Sequence, residues 1–445
     1  MKITYILLII SLVIVVAAIV FLPSRLRIIT GYAAKSMCSC VFVANRTPES
    51  VILKDIKFSF VKYAKAWVVP EEKAAYSTVF GMAKRKAVYR QGLGCSLVFD
   101  SDSSKENPAF NLPSFRQNTG VWPVGDEVKD TVFESIDYEK LNVAVDNAFD
   151  FEGEETKNTR VVLVNYKDHI VAEKYAEGFD ENTRQLGWSM TKSMTNAMIG
   201  LLVKENKLEI KKSNLLEEWK NDDRNKISIN DLLHMSSGLK WNEAYGDQSD
   251  ATIMLYQKTD KAGYAINRPL EFQPGERWVY SSGTSNILQK IIRNTFSNDE
   301  AYWRYPYENL FQKIGMTSTI IETDNKGLFV GSSYGYATPR DWARFGLLYL
   351  HDGMWNGERI LPEGWVKYTS TSVPDSNGQY GAHFWINDSG VYATAPRDMF
   401  LCQGFHGQRV FIIPSMDLVI VRLGVSPEDT FDFNLFLKEI LAAFN

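Results

Sequence analysis

Two β-hairpin patterns, one on each side of a largely helical stretch, constrain the fold of this chain most strongly. The first runs over 160–175 around a turn at 167–169, and the second over 409–423 around a turn at 414–417. Runs rich in β-branched residues that flank a short polar turn are typical of hairpins. Strands at both ends of one long region, with helices between them, predict an antiparallel sheet that packs against helices.

The segment between the hairpins carries helical periodicity. Trp342, Phe345, Leu348 and Tyr349 recur at helical spacing within 338–351. A last helix is predicted over 430–444. We therefore expect an α+β fold: an antiparallel sheet flanked by helices, with an inserted helical subdomain.

The sequence predicts a membrane anchor over residues 1–26. An apolar run from 5 to 22, interrupted only by Ser11, is just long enough to span a bilayer as a helix. A cleaved signal peptide is the competing interpretation, but no small-x-small cleavage site follows the run. Basic residues flank both sides, so the positive-inside rule does not decide the orientation. We expect a membrane-anchored protein whose catalytic domain lies outside the cytoplasm, at the periplasmic or cell-surface side.

Residues 27–130 form an N-terminal extension and linker in this interpretation, and 131–445 form the catalytic domain. The extension contains strand-like runs at 40–43 and 95–99, and 101–126 has the Ser, Asn, Pro and Gly content of a loop. No recognisable chemistry lies in the extension.

Composition excludes one class of partner. The 445 residues carry a net charge of −4, and no basic cluster is interleaved with aromatics, so nucleic acid is not an expected partner. The four cysteines lack the spacing of a zinc site. Cys38 or Cys40 could bridge to Cys95 if the domain is extracytoplasmic, while Cys402 is read as a small buried side chain. No metal or cofactor is expected, and the sequence leaves the oligomeric state open.

The tetrapeptide from Ser189 to Lys192 has the form of an activated serine. If a helix begins at Ser189, the i, i+3 spacing brings the lysine amine to the serine hydroxyl. The helix N-terminus would also favour an oxyanion there. Two further Ser-x-x-Lys matches, at 59–62 and 237–240, show that the spacing alone is weak.

Other segments supply the context that singles out Ser189. They are Lys226 to Leu239 with its Leu-Leu-His-x-Ser-Ser-Gly pattern, Phe272 to Ser282 with Pro-Gly-Glu-Arg-Trp-Val-Tyr-Ser-Ser, and Tyr336 to Gly346. With Ser189-x-x-Lys192 they resemble, in order, the β-lactamase-related serine hydrolases. That family has a β-lactamase/transpeptidase-like fold. It includes class C β-lactamases, D-Ala-D-Ala peptidases, esterases and 6-aminohexanoate-dimer hydrolases, and the Tyr-Ser-Ser form is most similar to the last.

The resemblance implies three catalytic residues. Ser189 corresponds to the nucleophile, Lys192 to its lysine, and Tyr280 to the tyrosine of the second motif, with Ser282 two residues later. Together Lys192 and Tyr280 could accept the serine proton and pass it to the leaving group; the sequence does not decide which of them carries it first. Tyr307-x-Asn matches the second motif too, but without the preceding Pro-Gly turn it is read as packing.

The third motif departs from the family pattern. Family members place Lys or His, a small residue and Gly on a strand beside the site, and the best match is Phe405-His406-Gly407. Strand alternation would turn Phe405 and Gly407 to the pocket and His406 away from it. The resemblance implies an oxyanion hole made by the N–H groups of Ser189 and Gln408. Ser282, Phe405, Gly407 and Trp188 are the predicted pocket residues, with Trp241 and Tyr245 near it.

These features predict a serine hydrolase that acts through an acyl-enzyme on an ester or a linear amide. A cation at the position of Phe405 would favour a carboxylate-bearing substrate, so its absence favours a neutral acyl group. Two alternatives stay open: a D-Ala-D-Ala peptidase or β-lactamase, and a catalytically silent binding or sensor module of the same fold. His234 is assigned a structural role.

Overall fold

The structure is a computed structural model of the chain. It describes residues 2–99, 109–114, 118–151, 156–427 and 430–444; within the first helix, side chains are described for Tyr5 and from Pro23 onward. The helices are α1 (Lys2–Phe42), α2 (Pro48–Lys54), α3 (Tyr138–Asn147), α4 (Thr191–Lys204), α5 (Ile229–Leu233), α6 (Asp250–Gln257), α7 (Lys261–Ile266), α8 (Ser282–Arg293), α9 (Asp299–Pro306), α10 (Pro339–Leu350), α11 (Trp365–Thr369) and α12 (Phe433–Leu441).

The strands fall into separate sheets. They are β1 (Ala64–Val69), β2 (Ala74–Val79), β3 (Met82–Arg90), β4 (Gly94–Leu97), β5 (Thr159–Tyr166), β6 (His169–Tyr175), β7 (Gln185–Leu186), β8 (Ile320–Ile321), β9 (Gly335–Ala337), β10 (Met354–Trp355), β11 (Glu358–Arg359), β12 (Trp385–Ile386), β13 (Phe400–Gly404), β14 (Gln408–Ile413) and β15 (Leu418–Gly424).

The main sheet has the order β12-β13-β14-β15-β5-β6, and every neighbouring pair is antiparallel. Both predicted hairpins are present, as β5–β6 and β14–β15. Lys167 and Asp168 connect β5 to β6 with φ of 47° and 62°, the backbone of a two-residue turn whose twist matches the strands. Because β15 pairs with β5, the two ends of the long region meet in one sheet. The predicted mixed α+β fold with an antiparallel sheet is confirmed.

Helices cover both faces of this sheet. Val410 and Val419 face the side of α10, where a side chain on Gly346 would collide with both valines. Phe411 and Ile420 belong to the core on the opposite face, together with Phe436 of α12. Successive residues of a strand point to opposite faces, so a strand buried on both sides is apolar throughout. The sheet is therefore the middle layer of three.

The N-terminal region builds a second sheet, β1-β2-β3-β4, and α1 packs across it. The strand predicted over 95–99 is present as β4, but the one predicted over 40–43 is wrong. That segment completes α1, because buried Ala33, Ala34 and Met37 continue a helical stripe towards Cys40. Cys38 is disulfide-bonded to Cys95, which ties α1 to β4.

Buried ion pairs join this region to the rest of the chain. Asp55, which follows α2, contacts Arg46 at 2.6 Å and Arg160 of β5 at 2.9 Å. Lys35 of α1 pairs with buried Glu322. Residues of α1 and of α4 also share one apolar core. The domain boundary predicted near residue 130 stays a prediction.

The predicted anchor, residues 1–26, falls mostly on positions whose side chains lie outside the described residues. Over the portion of the chain that the structure describes, no helix combines the length and apolar character needed to cross a membrane. Membrane attachment stays a prediction.

The Asp55 ion pairs give a stability prediction. Asp55→Ala leaves the guanidinium groups of Arg46 and Arg160 buried without their carboxylate, and breaking a buried pair in this way costs about 3–5 kcal/mol. We expect the free energy of unfolding in urea to fall by that amount. Glu217→Ala removes a carboxylate that pairs with Lys220 on the exposed surface, and it should cost no more than about 1 kcal/mol. Equal losses in the two variants would contradict the assignment.

Candidate active site

Ser189 lies in a tight turn that the local sequence enforces. The 3₁₀ turn Trp188–Met190 connects β7 to α4, so Ser189 precedes the α-helix rather than beginning it. Trp188 adopts φ of 48°, a strained conformation for a bulky residue. Thr191 fixes the turn, because its hydroxyl donates to Trp188 O at 2.7 Å and accepts from Gly335 N at 2.8 Å. Strain of this kind is found where a side chain must be held at a functional position.

Lys192, one turn into this segment, reaches Ser189 directly. Its Nζ donates to Ser189 Oγ at 3.0 Å, to Ser282 Oγ at 2.9 Å and to the main-chain oxygen of Ser332 at 3.1 Å. The side chain is 1% exposed. Three oxygen atoms thus hold the amine in place beside the serine hydroxyl.

Burial changes the protonation of this amine. Loss of hydration lowers the pKa of Lys192 from 10.5 to about 8, and the negative charge of Glu243 opposes the decrease. An amine with a pKa near neutrality can accept the proton of a hydroxyl, which a surface lysine at the same pH cannot do.

Tyr280 completes the group that the sequence predicted. The Lys192 Nζ lies 4.8 Å from the centroid of the Tyr280 ring. Burial and the charge of Glu243 raise the pKa of Tyr280 well above its usual range, and a hydrogen bond with Ser189 opposes the rise. The phenol therefore keeps its proton while the amine of Lys192 can lose its own. With these pKa shifts, Lys192 is the group that can accept a proton and Tyr280 the group that can donate one.

Glu243 is a site residue that sequence reasoning missed. It accepts hydrogen bonds from the hydroxyl and the main-chain N–H of Ser282, the latter at 2.8 Å. Trp241 Nε1 and the Tyr245 hydroxyl also donate to it, each at 2.5 Å. The only sequence signal for it is the alternation of 241, 243 and 245. The side chains of Trp241 and Tyr245 both donate to the carboxylate of Glu243. Glu243 orients Ser282, which in turn contacts Lys192.

Ser282 was predicted as a pocket residue, and the structure places it elsewhere. It is fully buried at the start of α8, between Lys192 and Glu243, and it does not line the cavity beside Ser189. Its hydroxyl is a link in the hydrogen-bond chain behind the nucleophile.

The Phe405–Gly407 segment is not a strand, which corrects the register argument. These residues form a 3₁₀ turn between β13 and β14, with His406 at φ of 60° and Gly407 at φ of 80°. Two left-handed residues in succession turn the chain sharply and break strand alternation. Phe405 and Gly407 line the cavity all the same. The ring of His406 is buried edge-on against Phe58 at 4.6 Å, and burial lowers its pKa to about 3, so it stays neutral.

Gln408, the predicted second oxyanion donor, does not line the cavity. It begins β14 beyond the turn, and its side-chain amide donates to Phe405 O at 3.2 Å and to Gly424 O. The end of β13 packs against the turn that carries Ser189. A Cβ on Gly404 would lie 2.1 Å from Gly187 O, so the Gly404–Phe405 peptide runs alongside the turn that carries Ser189.

The cavity beside Ser189 has a volume of about 300 Å³. Its walls are mainly aromatic, from Tyr280, Trp385, Phe431 and Phe433. Sequence analysis missed the last three, which lie far along the chain from the motifs. Trp188, a predicted pocket residue, lines a neighbouring cavity together with Phe405 and Tyr245.

Arg409 brings a cation to this cavity that the sequence did not reveal. Its Nη1 donates to Gly404 O at 3.0 Å and to Gln408 O at 2.9 Å, and its guanidinium stacks 4.4 Å from the Phe433 ring centroid. Burial lowers its pKa. Arg409 therefore bridges the two ends of the Phe405–Gly407 turn through hydrogen bonds to the main chain.

The other motif matches, at 59–62, 237–240 and Tyr307, and the histidine His234 make packing or surface contacts. Lys240 of the 237–240 match forms an exposed ion pair with Glu271. Ser59 begins the 3₁₀ turn Ser59–Tyr63 at φ of 42°, and Lys62 of the same match lies over the ring of Tyr63. The buried hydroxyl of Tyr307 accepts from Ile321 N. His234 packs against Tyr368, and burial lowers its pKa to about 4.

Comparison with known proteins identifies the class. The family model described as Beta-lactamase matches residues 154–435, more than half of the chain. The chain belongs to this Beta-lactamase family of serine hydrolases, which includes amidase and esterase relatives, and the resemblance seen in the sequence is confirmed.

Individual relatives are more distant. The chain is 24% identical to a 6-aminohexanoate-dimer hydrolase of Paenarthrobacter ureafaciens, over 61% of this chain and 73% of that protein. The structure of a putative 6-aminohexanoate-dimer hydrolase from Bacillus anthracis superposes with a TM-score of 0.56 at 20% identity, covering 74% of this chain and 86% of that one. A family VIII carboxylesterase gives 0.54 at 14% identity, covering 72% and 99%. At these identities the solved structures show a shared fold.

The pKa of Lys192 gives a testable pH dependence. Ser189 reacts when the amine is neutral, so the rate of its labelling by a fluorophosphonate should rise with pH up to about 8 and level off above it. Below that value the rate should fall about tenfold per pH unit. Glu243→Gln removes a charge that raises the pKa of Lys192, so the midpoint should move to lower pH.

Glu271→Gln is the matched control, because Glu271 pairs with Lys240 on the exposed surface. It should leave the midpoint where it is in the unaltered protein. A midpoint near 10.5, or one that Glu243→Gln does not move, would contradict the role given to Lys192.

Proposed function

We propose that this protein is a serine hydrolase that forms an acyl-enzyme at Ser189 from an ester or a linear amide and then hydrolyses it with water. The observation that carries the proposal is the 3.0 Å hydrogen bond between Ser189 Oγ and a buried lysine amine whose pKa is lowered to about 8.

Acylation begins with proton transfer from Ser189 Oγ to the neutral amine of Lys192. The oxygen attacks the substrate carbonyl, and a tetrahedral intermediate forms. When the bond to the leaving group breaks, Tyr280 donates its hydroxyl proton to that group, and the Lys192 ammonium returns a proton to the phenolate. The amine is neutral again and can deprotonate the water that attacks the acyl-enzyme.

The oxyanion needs N–H donors at the same place. The proposal keeps the N–H of Ser189, predicted from the sequence, as one of them. The close approach of Gly404 to Gly187 O supports the N–H of Phe405 as the second, in place of Gln408. Two preorganised main-chain donors of this kind supply a large part of the rate enhancement in acyl transfer.

The chemistry of the cavity favours a neutral substrate. Aromatic side chains form most of its wall, and Phe405 stands where many family members carry a cation. Relatives are described as a 6-aminohexanoate-dimer hydrolase and a carboxylesterase, which supports linear amides and esters as the substrate class.

Arg409 supports a second candidate function, that of a D-Ala-D-Ala peptidase or β-lactamase. It lines the catalytic cavity, so a substrate carboxylate that enters there could pair with its guanidinium. Hydrolysis of nitrocefin, or retention of a fluorescent penicillin on Ser189, would favour this candidate over the esterase.

The nucleophile and base can be tested together on p-nitrophenyl butyrate and a labelled fluorophosphonate. Ser189→Ala should abolish labelling, and Lys192→Ala should lower turnover by about 10²- to 10⁴-fold, the usual contribution of a general base. Lys240→Ala, in the competing Ser-x-x-Lys match, is the control and should retain full turnover. Full labelling of Ser189→Ala would refute the nucleophile, and unchanged turnover of Lys192→Ala would refute the base.

We further infer that the first helix anchors the enzyme to a membrane, with the catalytic domain outside the cytoplasm. The apolar run over 5–22 supports the anchor, and the Cys38–Cys95 disulfide supports an oxidising compartment. After cell fractionation and carbonate washing, the full chain should stay in the membrane pellet, and a chain lacking residues 2–22 should be released. A full chain that appears in the soluble fraction would contradict the inference.

A further inference from the structure

A second and larger cavity, of about 640 Å³, lies next to the catalytic one. Its wall comes from α1, from the 58–63 turn that precedes β1, from the end of β2 and from the 245–256 segment that includes part of α6. Apolar side chains make up most of the lining, including Leu26, Ile29, Val61, Val79, Phe58 and Tyr256. The volume is in the range of sites that enclose a small organic ligand.

Two aromatic rings separate this cavity from Ser189. Tyr245 and Phe405 line both cavities, and their ring centroids are 5.2 Å apart. Trp188, the residue before the nucleophile, lines the larger cavity and contacts Phe405 edge-on at 5.7 Å. Phe405 is half-buried in a turn, so rotation of its ring would connect the two spaces. The larger cavity thus adjoins the catalytic one, with the Tyr245 and Phe405 rings between them.

The charges on the lining leave the interior apolar. Arg25 and Asp247 are the charged residues of the described lining, and they pair with each other at 2.9 Å on the exposed rim. Gln248 of the same rim donates to Ser24 Oγ at 3.0 Å. These contacts fix the loop that carries Tyr245 to α1. A charged ligand group would find no further counter-charge in the described lining.

The mouth is lined by exposed aromatics. Phe60, Tyr63 and Phe80 line the cavity and are 65%, 51% and 79% exposed. Large apolar side chains that cluster on a protein surface indicate a binding site for an apolar ligand or an apolar surface.

We propose that this cavity holds the acyl chain of the substrate, which makes the substrate class esters of medium- and long-chain fatty acids. The inference rests on the proposed function, because the carbonyl must lie at Ser189. The chain runs from that carbonyl past Phe405 into the cavity, and the leaving group occupies the 300 Å³ catalytic cavity on the other side. Burial of each methylene from water favours binding, so the reaction rate rises with chain length.

A chain-length series tests the proposal. The kcat/KM of the full-length protein should rise from p-nitrophenyl acetate through butyrate to octanoate, by up to about fourfold for each methylene buried. Ile29→Trp fills the cavity from α1 and should lower the octanoate-to-acetate ratio at least about tenfold. Leu26→Trp, one turn earlier on the same face, should do so independently. Ile52→Trp, on the exposed face of α2 and outside the cavity, should keep the original ratio.

The outcomes separate the two claims. If none of the esters is hydrolysed and Ser189 is not labelled, the proposed function fails. If the esters are hydrolysed but the octanoate-to-acetate ratio is the same in the unaltered protein, Ile29→Trp and Leu26→Trp, the proposed function stands and the acyl cavity is overturned.

A binding measurement does not depend on catalysis. Ser189→Ala should bind dansyl-undecanoic acid saturably, with a rise in fluorescence, and should lose most of that affinity when Ile29→Trp is added. Adding Ile52→Trp should leave binding unchanged, and thermal melting confirms that each variant is folded. Absence of saturable binding, or equal binding with and without Ile29→Trp, overturns the proposal.

Discussion

The active site depends on one buried amine. Lys192 lies within the core with its Nζ held by two hydroxyls and a main-chain oxygen, and removal from water makes its neutral form accessible. Every other site feature serves this arrangement. The strained turn at Trp188 positions Ser189 beside the amine. The hydroxyl of Ser282 accepts a hydrogen bond from Lys192 Nζ and donates one to Glu243. A water-exposed lysine at the same distance would stay protonated and could not take the serine proton.

The N-terminal region lines part of the space next to this site. In the family match, residues 154–435 contain the catalytic group, while α1 and the β1–β4 sheet lie before it. That region is joined to the sheet through Asp55 and Arg160, and its first helix forms one wall of the cavity next to Ser189. The N-terminal region thus contributes one wall of the cavity that adjoins the candidate active site.

Sequence predicted the fold where patterns were local. The hairpins at 160–175 and 409–423 depend on near neighbours along the chain, and they are found as expected. The failures came from contacts between distant segments. Glu243, Arg409 and Phe433 join the site only through the fold, and the Phe405 turn breaks strand alternation because two residues adopt left-handed backbone. The 40–43 run has strand-like residues, yet packing of α1 on β3 keeps it helical.

The titration of the Lys192 side chain tests the central claim most directly. Lysine labelled with ¹³C at Cε reports its own protonation by NMR, and comparison with Lys192→Met assigns the signal. We expect the Lys192 amine to titrate with a midpoint at about pH 8, and this midpoint should move to lower pH in Glu243→Gln. A midpoint at the ordinary value of 10.5 would contradict it, because the amine beside Ser189 would then be an ammonium ion at neutral pH and no base.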